Sequence, residues 1–212
     1  MRYERKYRIE NVDISLINQI VKMHPAGFRK AYPDRRVNNI YLDTPDFETY
    51  RANVAGVSER KKYRVRWYGE ELSQMKHPTF EIKYKQNQVG FKFSKQLLDL
   101  NNLSFRSILP TIQRMSPNQA SIVPVLVNTY ERSYFMTADQ KFRITIDWDM
   151  QFGHFQTHLR HLPYKDENSI ILELKYDAIF EKEADRITQH IPFRLTKNSK
   201  YVNGVSMVMA VL

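Results

Sequence analysis

Cysteine is absent from the 212 residues, which excludes disulfides, thiolate metal sites, iron–sulfur ligation and cysteine nucleophiles together. Glycine is scarce, at 6 residues. Neither GxGxxG nor GxxxxGK[ST] occurs, so a Rossmann or P-loop nucleotide site is excluded. No apolar run approaches the roughly 20 residues a membrane helix needs. The opening MRYERKYRIE is charged throughout and does not read as a signal peptide. Repeats, low-complexity tracts and Gly/Ser linkers are missing too, so the expectation is one cytoplasmic domain over 1–212.

Aromatic residues and positive charge are abundant. The chain has 13 Tyr, 12 Phe and 2 Trp, and 42% of its residues are hydrophobic. That is enough for a sizeable core and excludes disorder. Lys and Arg number 33 against 23 Asp and Glu, a net charge of +10. Such an excess suits nucleic acid, an anionic membrane surface or a small polyanion. Where the charges fall decides among them.

Eight segments carry the two-residue alternation and β-branched or aromatic content of strands: 2–9, 37–43, 61–68, 79–85, 90–95, 125–136, 141–148 and 170–176, with 152–160 also extended. Helical patterns are fewer: 13–23, with Asp13 or Ser15 as N-cap, then 46–52, 104–115, 181–190 and 201–210. Strands mostly follow strands, which predicts a mainly β (α+β) antiparallel fold with peripheral helices.

Residues i and i+2 of a strand share a face. Lys62, Arg64 and Arg66 therefore oppose Tyr63, Val65 and Trp67; Glu81, Lys83 and Lys85 oppose Phe80, Ile82 and Tyr84; Lys92 opposes Phe91 and Phe93. Likewise Arg143, Thr145 and Asp147 oppose Phe142, Ile144 and Ile146, and Glu173 and Lys175 oppose Leu172 and Leu174. The first strand sets Arg2, Glu4, Lys6 and Arg8 against Tyr3, Tyr7 and Ile9, with Arg5 breaking the pattern. A plain water-facing sheet would explain polar residues at these positions. It does not explain their density in Arg and Lys, because like charges on neighbouring strands repel. Strands closing into a barrel, charged face inward, would concentrate positive potential around a polyanion.

RYERK at 2–6, YRVRWYG at 63–69, FEIKYK at 80–85, GFKFSK at 90–95, YERSYF at 130–135, FRITID at 142–147, LELKY at 172–176 and LTKNSKYVNG at 195–204 resemble the VTC domain. That is the catalytic module of the vacuolar transporter chaperone polyphosphate polymerase, one of the CYTH proteins in the triphosphate tunnel metalloenzyme superfamily. The resemblance implies an eight-stranded antiparallel tunnel β-barrel that takes ATP or another nucleoside triphosphate, and polyphosphate or triphosphate, with Mn²⁺ or Mg²⁺. It implies transfer of the ATP γ-phosphoryl group onto a polyphosphate chain. By motif position, Arg64, Arg66, Arg132, Arg143 and Lys200 would be catalytic. Lys6, Lys83, Lys92, Lys197, Ser199 and Tyr130 would bind phosphate, and Glu173 would be the metal carboxylate. Glu4, Glu81 and Asp147 are further candidate carboxylates, Asp147 alternatively a partner for Arg143. Phosphoryl transfer asks for positioning and charge neutralisation, which such a set supplies.

One departure is informative. CYTH hydrolases and cyclases typically open on Glu-x-Glu-x-Lys, whereas Arg2 leaves only Glu4-x-Lys6. The lost carboxylate disfavours a two-metal hydrolytic site. Two rival readings stay open: a tunnel hydrolase of triphosphate or nucleoside triphosphate, and a non-catalytic polyanion binder. Nucleic acid is disfavoured, because the aromatics lie opposite the basic residues, where they cannot stack on bases beside them. With no spanning segment, a membrane-protein partner remains compatible. Lys62, Lys85 and Lys95 read as rim or surface residues. His154 and His158, about 13 Å apart on an extended strand, read with His161 as surface residues rather than a metal cluster.

Overall fold

A computed structural model describes residues 2–86, 89–97, 105–115, 122–157, 159 and 161–210. The elements run β1 (Arg2–Glu10), α1 (Ile14–Lys22), β2 (Arg29–Asp43), α2 (Glu48–Val54), β3 (Glu59–Tyr68), β4 (Thr79–Gln86), β5 (Val89–Gln96), α3 (Phe105–Met115), β6 (Val123–Met136), β7 (Phe142–His154), β8 (Tyr164–Asp166), β9 (Ser169–Asp177), α4 (Glu181–Thr188) and α5 (Lys200–Met209). All eight expected strands are present. Two differ in extent by more than two residues. β2 starts eight residues early, through an exposed stretch containing Pro33 that shows no alternation. The extension after 148 stops at His154 rather than continuing to 160. The three-residue β8 is an addition. No helix among the described residues is long and apolar enough to cross a membrane.

The chain resolves into two compact units, Met1–Arg35 with Tyr130–Met150 and Asp166–Asn198, and Arg36–Thr129 with Gln151–Lys165 and Ser199–Leu212. In the first, β1 pairs β9 and β9 pairs β7, all antiparallel. Tyr7 and Ile9 of β1, Ile144 and Ile146 of β7, and Leu172 and Leu174 of β9 share one face. That face packs on Ile17 and Val21 of α1 and on Ala184 and Ile187 of α4. Asp13 caps α1, its carboxylate accepting from Ser15 N at 2.7 Å. Arg5, the residue that broke the alternation, lies on this helix side. It donates to Tyr176 Oη at 2.8 Å and reaches Glu181 at 3.0 Å and Asp185 at 3.2 Å, tying α4 to the sheet.

In the second unit β2, β3, β4 and β5 pair consecutively and antiparallel. Val65, Trp67, Phe80 and Ile82 pack on Phe105, Ile108 and Ile112 of α3, whose i, i+3, i+7 spacing makes one helical stripe. Trp67 meets Phe105 edge to face at 5.9 Å, the outer packing its alternation predicts. Phe91 and Phe93 are exposed instead, at 60% and 52%. The expected residue 104 of α3 lies outside the described residues.

Candidate functional site

The faces opposite these two cores carry the charge, and part of it is withdrawn from water. Arg66, Glu81, Arg132, Asp147, Glu173 and Lys200 are all buried. A water-facing sheet would expose them, so that explanation fails.

In the second unit, antiparallel register lines the charges into rows across the strands. Asn39, Arg66, Thr79 and Gln96 form one row; Tyr41, Arg64, Glu81 and Ser94 the next; Lys62, Lys83 and Lys92 a third. Three lysines directly opposite one another repel. Glu81 supplies one negative charge. Its Oε2 accepts from Arg64 Nε at 2.5 Å and lies 4.0 Å from Arg66 Nη1, while Oε1 meets Lys92 Nζ. Burial alone raises the Glu81 pKa, but Arg64, Arg66 and Lys92 outweigh it and bring it to about 2. Arg66 Nε donates to Asn39 Oδ1 at 2.9 Å, and Asn39 Nδ2 donates to Asn128 Oδ1 at 3.0 Å. Since Arg can only donate, this relay fixes both amide orientations. It leaves Asn128 Nδ2 buried with no hydrogen-bond partner.

Ser199 N-caps α5, its Oγ accepting from Val202 N at 3.3 Å and from Lys62 Nζ at 2.7 Å. Tyr201 donates to Asp43, which also accepts from Thr49 N and Tyr50 N at the start of α2. Burial and Asp43 both push the Tyr201 hydroxyl pKa up, so it stays a donor. One carboxylate thus ties both helix starts to the end of β2 and holds Ser199 and Lys200 in place.

The first unit repeats the lattice with more carboxylates. Across β1, β9 and β7 the rows read Glu4–Lys175–Arg143 and Lys6–Glu173–Thr145. Glu173 is gripped from both sides, Oε1 by Lys6 at 3.2 Å and Oε2 by Lys175 at 2.7 Å. Lys6 also donates to Asn198 O at 3.2 Å and lies 3.8 Å from Glu4. The segment carrying Lys197 and Asn198 runs beside β1, with Thr196 N donating to Lys6 O at 2.8 Å. Thr145 Oγ1, opposite Glu173, is buried without a hydrogen-bond partner.

Arg132 and Asp147 form a buried fork, Nε to Oδ1 at 2.5 Å and Nη2 to Oδ2 at 2.7 Å. Burial disfavours the guanidinium's charge, but Asp147 more than compensates and holds Arg132 protonated. Its Cζ lies 5.2 Å from the centre of the Tyr130 ring.

Several expectations are corrected by this geometry. Asp147 partners Arg132, not Arg143. Four residues separate Arg143 from Asp147 along β7, about 13 Å, and Arg143 is exposed, with Nη2 3.9 Å from Met136 Sδ. Lys62 is half-buried rather than on the open surface, donating to Ser199 at the head of the lysine row. His154 is half-buried rather than on the surface, its Nε2 buried and unpartnered; His158 lies outside the described residues. Lys197 and Lys92 are exposed on their segments. Asn39 and Asn128 were missed, because Asn reads as a turn former. Their position between β-branched strand residues was the only available signal.

Among the described residues, no group of three or more His, Asp or Glu side chains could hold a metal ion by itself. The donor set fits a hard cation only if phosphate oxygens complete its shell, because one or two carboxylates then suffice. Glu173, with Glu4 one row away diagonally, is that set.

Antiparallel strands thus carry two cation-rich, partly buried faces with few carboxylates. The VTC domain family matches residues 1–209, and the chain belongs to it. A search of curated proteins finds no match. Among solved structures, one provisionally assigned as an adenylate cyclase from Vibrio parahaemolyticus superposes with TM-score 0.58 at 13% identity, covering 96% of this chain and 98% of that one. HpAC1 from Hippeastrum, an adenylyl cyclase candidate with a dominant triphosphatase activity, gives 0.54 at 12%, covering 98% and 97%. A further provisional adenylate cyclase, from Bacillus halodurans, gives 0.55 at 12%, covering 95% and 97%. At these identities the likeness is one of fold.

Proposed function

We propose that this chain is a metal-dependent phosphotransferase that moves the γ-phosphoryl group of ATP onto a polyphosphate chain, in the basic tunnel the family resemblance implies. The observation that carries this reading is the alignment of cations into rows across β3, β4 and β5, half-buried Lys62 and Lys83 with exposed Lys92 beside half-buried Arg64 and buried Arg66. Like charges held side by side repel, and a polyanion would offset that repulsion.

Arg64 and Arg66 present planar forks to phosphate oxygens, and the lysines add point charges. Arg132, locked by Asp147, offers its remaining N–H groups at a fixed position. Lys200 and Ser199, at the start of α5, contact phosphate there, and Lys6 and Lys197 contact it beside β1. Glu173, aided by Glu4, would hold Mn²⁺ or Mg²⁺ together with the phosphates. When bound, the cation neutralises charge on the phosphoryl oxygens. A terminal oxygen of the acceptor chain attacks the γ-phosphorus, and the bond to the β–γ bridging oxygen breaks. ADP departs with that electron pair, so no protein nucleophile is required. Stabilisation of the transferring phosphoryl falls to the arginines, with Arg143 in the row of Lys175 and Glu4.

The test is product analysis after incubation with ATP and Mn²⁺. Long chains with ADP support the transferase. Orthophosphate without chains points to hydrolysis, the activity shown by HpAC1. Tight triphosphate binding without turnover leaves a binding module.

A further inference from the structure

Glu81 stands out on the second unit's polar face. It is one of three candidate carboxylates beside Glu173, yet its surroundings are wrong for a metal ligand. Glu173 is also met by two lysines, but Lys6 there lies 3.8 Å from a second carboxylate, Glu4, whereas Glu81 meets three cations, Oε2 facing Arg64 at 2.5 Å with Arg66 at 4.0 Å and Oε1 facing Lys92. Lys83 and Lys62 stand in the adjoining row. A divalent cation approaching Glu81 would meet this cluster of positive charge and lose more to repulsion than one carboxylate returns.

The same groups describe an anion nest. Arg64, Arg66 and Lys92 are among those assigned to phosphate, and they converge on one buried carboxylate. We infer that Glu81 is a built-in competitor of the phosphate chain: it occupies the cations of the ligand-free protein and is displaced as their direct partner when phosphate binds. This rests on the phosphate-binding reading proposed above. It adds that the nest is tuned below its full strength, so that a growing polyanion can leave or advance. A nest without Glu81 would hold phosphate more tightly and release it more slowly. Asp147 in the first unit is different, because it forks one arginine and leaves its other donors available.

The experiment is calorimetric titration of tripolyphosphate, in EDTA, into the wild type, Glu81→Gln and Glu81→Asp. Glu81→Gln is expected to bind roughly tenfold tighter or better, since an anion in contact with the same cations has been removed. Glu81→Asp keeps the charge one methylene further back and is expected to fall between the two. Glu81→Gln should also melt lower than the wild type in buffer and gain more on adding tripolyphosphate. Should Glu81→Gln fail to fold, Glu81→Asp decides by the direction of its shift. Unchanged or weaker binding by the variants, beside a wild type that binds, overturns this inference alone. So does an effect of Glu81→Gln that appears only when Mn²⁺ is present, which would make Glu81 a metal ligand. If none of the three binds, the functional reading falls and takes the inference with it.

Discussion

Replacing Asp147 with Asn is the sharpest test of how the first unit's polar face is held together. Asp147 is fully buried, and its two oxygens meet Arg132 at 2.5 and 2.7 Å. The amide keeps the shape but removes the charge, and it turns an NH₂ toward a guanidinium that can only donate. Removing one partner of a buried ion pair costs about 3–5 kcal/mol, because the survivor is left buried and uncompensated. For a chain of this size each kcal/mol moves Tm by about 2–4 °C, so a fall of roughly 6–20 °C is expected. Differential scanning calorimetry with a matched urea titration measures it. The double variant Arg132→Met with Asp147→Leu should recover most of the loss, since apolar residues of similar volume replace such pairs at little cost. A shift in the single variant within about 2 °C of the wild type, less than 1 kcal/mol on the same scale, would refute the buried-pair reasoning. So would a double variant less stable than the single one.

Other predictions follow from the same geometry. The Glu81 pKa is depressed from 4.5 to about 2, so its contribution is present above pH 4.5 and lost as pH falls towards 2. That shift corresponds to about 3 kcal/mol, and acid titration of stability should show a correspondingly shallower limb in Glu81→Gln. Glu173→Ala should abolish transfer of phosphate while leaving a folded protein by circular dichroism; full activity in that variant would remove Glu173 from the site. Gly204→Ala should destabilise, because a Cβ there would stand 2.5 Å from Phe152 Cδ1 and 2.7 Å from Leu126 Cδ2. Both neighbours are buried, and overpacking of this kind costs about 1–3 kcal/mol, readable as a lower urea midpoint.

The strands were legible because alternation was strong wherever one face packed on helices, as with Ile144 and Ile146 or Val65 and Trp67. The first residues of β2 were not, since residues 29–36 are mostly exposed and carry no periodic contrast. Pro110 inside α3 broke no pattern, because the buried stripe of Phe105, Ile108 and Ile112 continues past it. The membership of the polar faces was also legible, two residues at a time. Their pairing was not. Nothing in the spacing says that Asp147 belongs to Arg132 on β6, that Lys62 reaches Ser199, or that Glu81 sits among three cations. Those pairings depend on strand register and hairpin length, which alternation leaves free. Asn39 and Asn128 were invisible for a related reason: a neutral amide acquires its role only once an arginine is placed beside it. Of the basic residues outside the site, Arg35 lies over the Tyr32 and Tyr134 rings, at 5.3 Å from each. Lys30 pairs with Asp34 at 2.8 Å.

Binding of phosphate chains by the cation rows is the central proposal for this protein. Equilibrium binding of tripolyphosphate by the wild type and by Arg66→Ala, at low and at physiological salt, tests it most directly. The expected result is saturable binding that weakens with salt and is lost in Arg66→Ala while the variant stays folded. Absence of saturable binding by the wild type, or undiminished binding by Arg66→Ala, would contradict it.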